Sequence, residues 1–367
     1  MTDLSTAPRL NALSPQLPVH WYFDPRIYEL EKRLLFDRGP GYVGHELMVP
    51  EVGDYHVLEW TGEAKALVRN ANGVELLSNI CRHRQAVILK GRGNAQNIVC
   101  PVHRWTYALD GRLLGAPRFP ENPCLDLART PLKSWNGMLF AGSRDVARDL
   151  AALGASQGLD FSGHRLDRVE IDEYPCNWKT FIEVYLDNYH VETFHPGLGN
   201  FVDLAGMRLE FGDWYNAHLC GVKKGLAAPG TATYRTWHDA VLRYRDGREP
   251  PYGALWFTYY PNLMIECYPH SIVMSWVIPR GPEACTNVIE YYYPEDIVLF
   301  EREFVEAEQA AYRETAVEDA EICERITAGR RALYRQGISD AGPYQLPLES
   351  GMQHLHQFLR RHLEPHL

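Results

Sequence analysis

The sequence has no cationic leader, no unbroken apolar span, no cysteine framework and no basic stripe, and each absence removes a class of protein. Its first 40 residues contain no cationic stretch followed by an apolar run, so a secretory signal is not expected and the chain is read as cytoplasmic. The most apolar region, Tyr252 to Pro279, carries Glu266 as its only formal charge, but Pro261, Asn262, Pro269 and His270 interrupt it. It is expected to form buried strands and not a membrane helix. Eight cysteines are present, and six of them (Cys124, Cys176, Cys220, Cys267, Cys285, Cys323) have no framework spacing, which suits a reducing compartment. The 37 basic and 47 acidic residues give a net charge of −10, so neither nucleic acid nor an anionic membrane is an expected partner. No G-x-G-x-x-G follows a strand, so NAD(P)H and flavin are not expected to bind this chain.

What is present is an ordinary globular composition, 46% hydrophobic and 23% charged over 367 residues, enough for two domains. A polar tail with Pro8, Pro15 and Pro18 leads into a helix expected over Asp24 to Arg38. Short β-rich runs follow (Tyr55 to Trp60, Lys65 to Arg69, Val74 to Ile80), punctuated by Asn72-Gly73 and Asp110-Gly111, which marks a small all-β module. A proline-rich loop, Pro117 to Pro131, returns to strands near Gly137 to Ala141, and Asp145 to Gly158 reads as a boundary. Beyond it, helices are expected over Trp178 to Glu192, Asp296 to Thr315, Ile322 to Arg335 and Gly351 to His362, with long strands between Leu255 and Tyr293. This is the α+β pattern of an antiparallel sheet covered by helices. The domains are read as 1–40 (tail and helix), 41–148 and 149–367.

Within the β module stand Cys81-x-His83 and Cys100-x2-His103. Two loops that each supply one thiolate and one imidazole suit either a Zn site or a Rieske [2Fe-2S] centre, in which two His replace two Cys on one iron. Zinc fingers usually pair Cys with Cys and His with His, whereas the alternating order here is the Rieske pattern. With Arg84, Trp105-Thr106-Tyr107 and Leu109-Asp110-Gly111, these residues resemble the cluster-binding loops of the Rieske non-haem iron oxygenases. Gln85 and Arg104 stand where that family commonly has glycine, and neither is a ligand.

A second constellation follows Asn177-Trp178: Glu183, Asp187, His190 and His195. On one continuous helix Glu183, Asp187 and His190 share a face. His190 and His195 would diverge, so both can bind one metal only where the helix ends or bulges between them, and Pro196-Gly197 is the expected ending. Two imidazoles and a carboxylate make the facial triad of non-haem Fe(II) oxygenases, and D-x2-H-x4-H after Asn-Trp-Lys resembles the catalytic motif of the same family. Glu290, Asp296, Glu314, Glu318, Asp319, Glu321 and Glu324 all offer a third ligand. The Glu-Asp-x3-Cys-Glu context of Glu318 to Glu324 resembles the branch containing choline, glycine-betaine and carnitine monooxygenases, and implies Asp319. Glu318 is expected to be dispensable for iron.

The resemblance runs from about residue 40 to 365 and includes Tyr260 to Met264, Val277 to Pro282, Glu290 to Tyr293 and Leu348 to Phe358. It implies an all-β Rieske domain, a helix-grip catalytic domain, and a terminal oxygenase. Such a protein hydroxylates or oxidatively demethylates a small organic substrate with O2 at Fe(II), with electrons passing from NAD(P)H through a separate flavin-containing reductase. It also implies a homotrimer in which Asp187 links a cluster His of one subunit to an iron His of the next. Choline-type members often carry Glu at the position of Asp187, so both quaternary-amine monooxygenase and aromatic-ring dioxygenase remain open. A simple Rieske electron carrier would leave more than 200 residues and the His-His-carboxylate set unused.

Overall fold

The computed structural model describes residues 15–223 and 230–367; the tail expected over residues 1–14 lies outside them. The chain divides into two compact units, Pro40–Val146 and the segment ending at Gly39 together with Ala147–Leu367.

The Pro40–Val146 unit is all β among its regular elements apart from short helical turns, with one five-stranded and two three-stranded sheets. Strands Asp54–Val57, Lys65–Asn70 and Gly73–Ser78 form consecutive antiparallel pairs of the five-stranded sheet. Val57, Val68, Leu77, Ile98, Tyr107 and Leu113 fill the core, and Cys81, Cys100 and Trp105 are buried with them. Packing the two cysteines into that core fixes the bases of both loops.

The larger unit is built on seven antiparallel strands: β1 (His164–Tyr174), β2 (Val202–Phe211), β3 (Tyr215–Val222), β4 (Ala254–Tyr259), β5 (Leu263–Tyr268), β6 (Ser271–Gly281) and β7 (Ala284–Pro294). Their order is β1-β7-β6-β5-β4-β3-β2. Strands β4 and β5 are buried along their whole length, as expected for the apolar run around Glu266. Five helices matter for the site: α1 (Trp178–Leu186), α2 (Val191–Phe194), α3 (Ala232–Tyr244), α4 (Arg302–Arg335) and α5 (Ser350–Leu363). Trp178, Ile182 and Leu186 of α1 pack with Leu355 and Phe358 of α5 and with Met264 and Val277 of the sheet. Before the first strand, helix Pro25–Glu31 starts under an Asp24 cap with Pro25 in its first turn and runs into a π turn, Lys32–Phe36. Its Glu31 is fully buried and pairs with Lys179 of α1 at 2.6 Å.

Three helix expectations change. The two helices expected over Asp296 to Thr315 and Ile322 to Arg335 become a short helix, Glu295–Phe300, and the 34-residue α4. The acidic stretch between them holds no Gly or Pro, and alanines and glutamates carry the helix through. The helix expected to reach Glu192 stops at Leu186, leaving Asp187 extended at φ −88°, ψ 92°. Helix α3 was not anticipated, although Thr231 caps it by accepting from the Tyr234 N–H at 3.2 Å and Tyr234, Trp237, His238 and Val241 have helical spacing.

Candidate metal centres and the cavity beside them

The two Cys-His loops are one turn built twice. Cys81 donates its N–H to Ala86 O at 2.8 Å and accepts from the Gln85 N–H at 3.0 Å; Cys100 repeats this with Trp105 O at 2.8 Å and the Arg104 N–H at 3.0 Å. Antiparallel pairing closes each loop, Ile80 with Val87 and Val99 with Thr106. At the fifth position of each turn the backbone is left-handed, with φ 55° at Gln85 and 60° at Arg104. These are the two positions at which the sequence departs from the family's glycine, so the departure alters residue type while keeping the conformation that favours glycine.

Both cysteines are buried, His83 is half-buried and His103 is exposed. The rings of His83 and His103 lie 4.6 Å apart, and His83 stacks on Trp105 at 5.1 Å. Burial pushes the Cys81 thiol up, but hydrogen bonds from Tyr107, from the backbone at His83 and Arg84, and with Cys100 outweigh it and hold the thiol below its ordinary value. The Tyr107 hydroxyl is 3.5 Å from Cys81 Sγ. Two buried cysteine sulfurs with two imidazoles facing outward are the donor set of a Rieske centre.

In the larger unit, the Asn177 side chain caps α1 by accepting from the Lys179 N–H at 2.9 Å. The helix stops at Leu186, four residues before His190, and the single turn α2 then carries the chain to His195, whose N–H still donates to Val191 O at 3.1 Å. The break brings the two imidazoles together. His190 Nε2 and His195 Nε2 are 3.0 Å apart, and Asp319 Oδ1 on α4 is 3.0 Å from His195 Nε2 and 3.3 Å from His190 Nε2. Three ligand atoms, one from each residue, thus lie within 4.8 Å of one another, a 2-His-1-carboxylate arrangement.

The surrounding carboxylates differ from the expectation. Asp187 Oδ2 stands 3.3 Å from His190 Nδ1. Glu318, which was assigned no part, accepts from or shares a proton with His195 Nδ1 at 2.7 Å, the outer contact that usually fixes a metal-binding imidazole. Glu183 leaves the site altogether: it is buried and bonded to Tyr22, to Arg330 at 2.7 Å and to His356 at 2.8 Å. The shared face expected for Glu183 requires a helix that continues past Leu186. Burial opposes charge on both site imidazoles, yet Asp187 and Asp319 raise His190 to about 9, and Asp319 and Glu318 raise His195. The site therefore favours positive charge between its carboxylates.

His195 and Asp319 form part of the wall of a cavity of about 80 Å³, room for several waters at the roughly 10–15 Å³ each needs. Tyr234 and Trp237 of α3, Trp256 of β4 and Tyr312 of α4 supply aromatic faces. Glu266 of β5 and Glu308 of α4 also line it. Burial pushes each carboxyl up to about 7 despite hydroxyl hydrogen bonds from Tyr268 and Tyr312 to Glu266 and from Tyr293 and Ser271 to Glu308. Among the described residues no Lys, Arg or His nitrogen forms an ion pair with either. The signal for Glu266 was its isolation as the one charge in an apolar run; for Tyr234 and Trp237 it was the spacing of α3.

Residues 160–365 match the model of the ring hydroxylating alpha subunit catalytic domain, and residues 41–135 match that of the Rieske [2Fe-2S] domain. The chain belongs to the ring-hydroxylating alpha-subunit family. It is similar to putrescine 2-hydroxylases from Ralstonia nicotianae (60% identity, 98% of this chain and 99% of that one) and Bordetella bronchiseptica (50%, 98% and 87%). Its fold is similar to that of a quaternary ammonium Rieske monooxygenase linked to carnitine oxidation (TM-score 0.77, 19% identity, 96% of each chain). This family member is a Rieske oxygenase that hydroxylates a small organic substrate with O2, using a Rieske cluster and a mononuclear iron, with a reductase supplying electrons. No helix among the described residues is long and apolar enough to cross a membrane.

Proposed function

We propose that the protein hydroxylates a short aliphatic diamine, putrescine or a close homologue, at the carbon next to an aminomethyl group. The observation that carries this reading is a buried cavity with iron-ligand candidates in its wall and two carboxylates that form no ion pair with a protein cation among the described residues. Such an interior suits a cationic guest, and 60% identity to a putrescine 2-hydroxylase supports a diamine. In this reading residues 41–148 carry the cluster on Cys81, His83, Cys100 and His103, and residues 149–367 hold the iron on His190, His195 and Asp319. When bound, the cluster supplies single electrons and the iron activates O2. Overall, a C–H bond, O2, two electrons and two protons become C–OH and water.

The chain's own residues provide the order around that chemistry. Glu318 orients His195, and Asp187 orients His190. By the family resemblance Asp187 also joins His190 to His103 of the partner subunit in a cytoplasmic homotrimer. The aromatic wall excludes water and places the methylene chain beside the ligands.

The test is O2 consumption with a surrogate Rieske reductase, with product identified by mass spectrometry, against putrescine, choline, carnitine and benzoate. Hydroxyputrescine formed stoichiometrically with O2 is expected. Tight coupling with a quaternary amine or aromatic acid and none with putrescine would overturn the diamine reading.

A further inference from the structure

We infer that Glu266 is the receptor for the substrate ammonium farther from the iron ligands, and that it selects short primary diamines over monoamines and quaternary amines. This rests on the diamine reading and adds a residue to it. Glu266 is 7% exposed and is held from both sides: Tyr268 Oη donates to Oε2 at 2.5 Å and Tyr312 Oη donates to Oε1 at 3.0 Å. Hydroxyls orient a carboxylate without neutralising it, and each oxygen keeps accepting capacity for an ammonium. The Trp237, Trp256 and Tyr234 rings around the same cavity suit a cation.

A second observation points to N–H donors specifically. Asn188 and Asn287 line the cavity at 1% and 2% exposure, and the side-chain oxygen of each has no hydrogen-bond partner. Buried acceptors left unpaired are costly. Ammonium groups of a primary diamine can donate to them, whereas a quaternary ammonium has no hydrogen to give. The wall therefore favours a guest that brings protons as well as charge.

The geometry of α4 separates the two acids. Tyr312, which touches Glu266, lies seven residues before Asp319, about 10 Å along the helix axis, and Glu308 lies eleven residues before it, about 16 Å. A four-carbon diamine has five heavy-atom bonds of about 1.5 Å, so it spans less than about 7.5 Å. From its hydroxylated carbon the far ammonium is only three of those bonds away, so of the two acids Glu266, whose partner Tyr312 is the nearer to Asp319 along the helix, is the closer receptor and Glu308 the more distant.

The test measures putrescine binding by calorimetry to the anaerobic, metal-loaded protein, together with kcat/KM for putrescine and for butylamine, which lacks the far ammonium. Glu266→Gln is expected to weaken putrescine binding about 100-fold and to erase the preference for putrescine over butylamine. Cluster absorbance, iron content and melting temperature serve as the fold check, and Glu290→Gln, the same change at a buried carboxylate of β7 outside the cavity wall, is the control. If the glutamine variant fails to fold, Glu266→Asp replaces it, and its shorter arm should shift preference to the diamine one methylene longer. Putrescine affinity within about threefold of wild type in Glu266→Gln, or unchanged length preference in Glu266→Asp, overturns the inference. If wild type hydroxylates putrescine and Glu266→Gln matches it, this inference alone falls. If putrescine binding depends on Glu266 and no hydroxylated product forms, the proposed reaction alone falls.

Discussion

The two candidate metal centres are assembled in opposite ways. The cluster loops are local: residues 81–86 and 100–105 each close on themselves through backbone hydrogen bonds, and their cysteines are rooted in a small β core. The candidate iron triad joins the segment after the helix break at Asp187 to Asp319 on α4 through side chains, with Glu318 and Asp187 beside its imidazoles. A site made of repeated backbone turns should fail by losing a ligand. One made of distant side chains should also fail by losing its supports.

The largest effect expected is complete loss. Cys81→Ala or Cys100→Ala should abolish the visible cluster spectrum and all turnover while the larger unit keeps its fold and its iron. Asp319→Ala should do the converse, removing mononuclear iron and activity while the cluster spectrum persists, as metal analysis and absorbance will report. A variant at either centre that strips both metals breaks the contrast drawn between them.

Next come the supports. Asp187→Ala should keep both metals and a reducible cluster but lose turnover by about 100-fold, read by single-turnover kinetics against metal content. Glu318→Ala should weaken iron binding by roughly 10–100-fold, measured by chelator competition, and Glu318→Gln should recover part of it. Glu318→Ala with wild-type iron affinity would remove the outer carboxylate from the account.

A smaller effect concerns pH. Glu266 and Glu308 are raised to about 7, so they are neutral below that pH and anionic above it. The groups facing Glu266 are Tyr268, Tyr312 and Asp319; those facing Glu308 are Tyr293, Ser271, Glu266 and Arg168. A dication binds the ionised form, so KM for putrescine should fall roughly tenfold from pH 6 to pH 8. The smallest effect is at the loops: Gln85→Gly or Arg104→Gly should keep the cluster and change unfolding of the Rieske unit by less than about 1 kcal/mol, whereas Gln85→Val should cost more and lower cluster content.

The candidate cluster ligands were legible as a set because their pattern is written in short spacings that the backbone turn itself dictates. His190 and His195 were legible as a pair, and the chain does leave the helix at His195, just before Pro196-Gly197; the additional break at Asp187, where the side chain accepts from the Tyr189 N–H and competes with the helix, was not anticipated. Asp319 could be chosen only by family context, since a 34-residue helix presents many acids and only tertiary packing selects one face. Glu318 escaped because one residue's rotation was taken to remove it from the site, whereas its longer arm reaches the far nitrogen of His195. Glu266 was visible as an anomaly before its purpose was.

Helix α4 carries Glu308, Tyr312, Thr315, Asp319 and Cys323 on a single stripe along the cavity, which restricts how such an enzyme can diverge. Inserting or deleting one residue between Tyr312 and Asp319 would rotate one end against the other by about 100°, removing either Asp319 from the candidate triad or Tyr312 from Glu266. Descendants with new substrate lengths should therefore arise by point replacement in the β5 strand or on the stripe, with the residue count from 312 to 319 held constant.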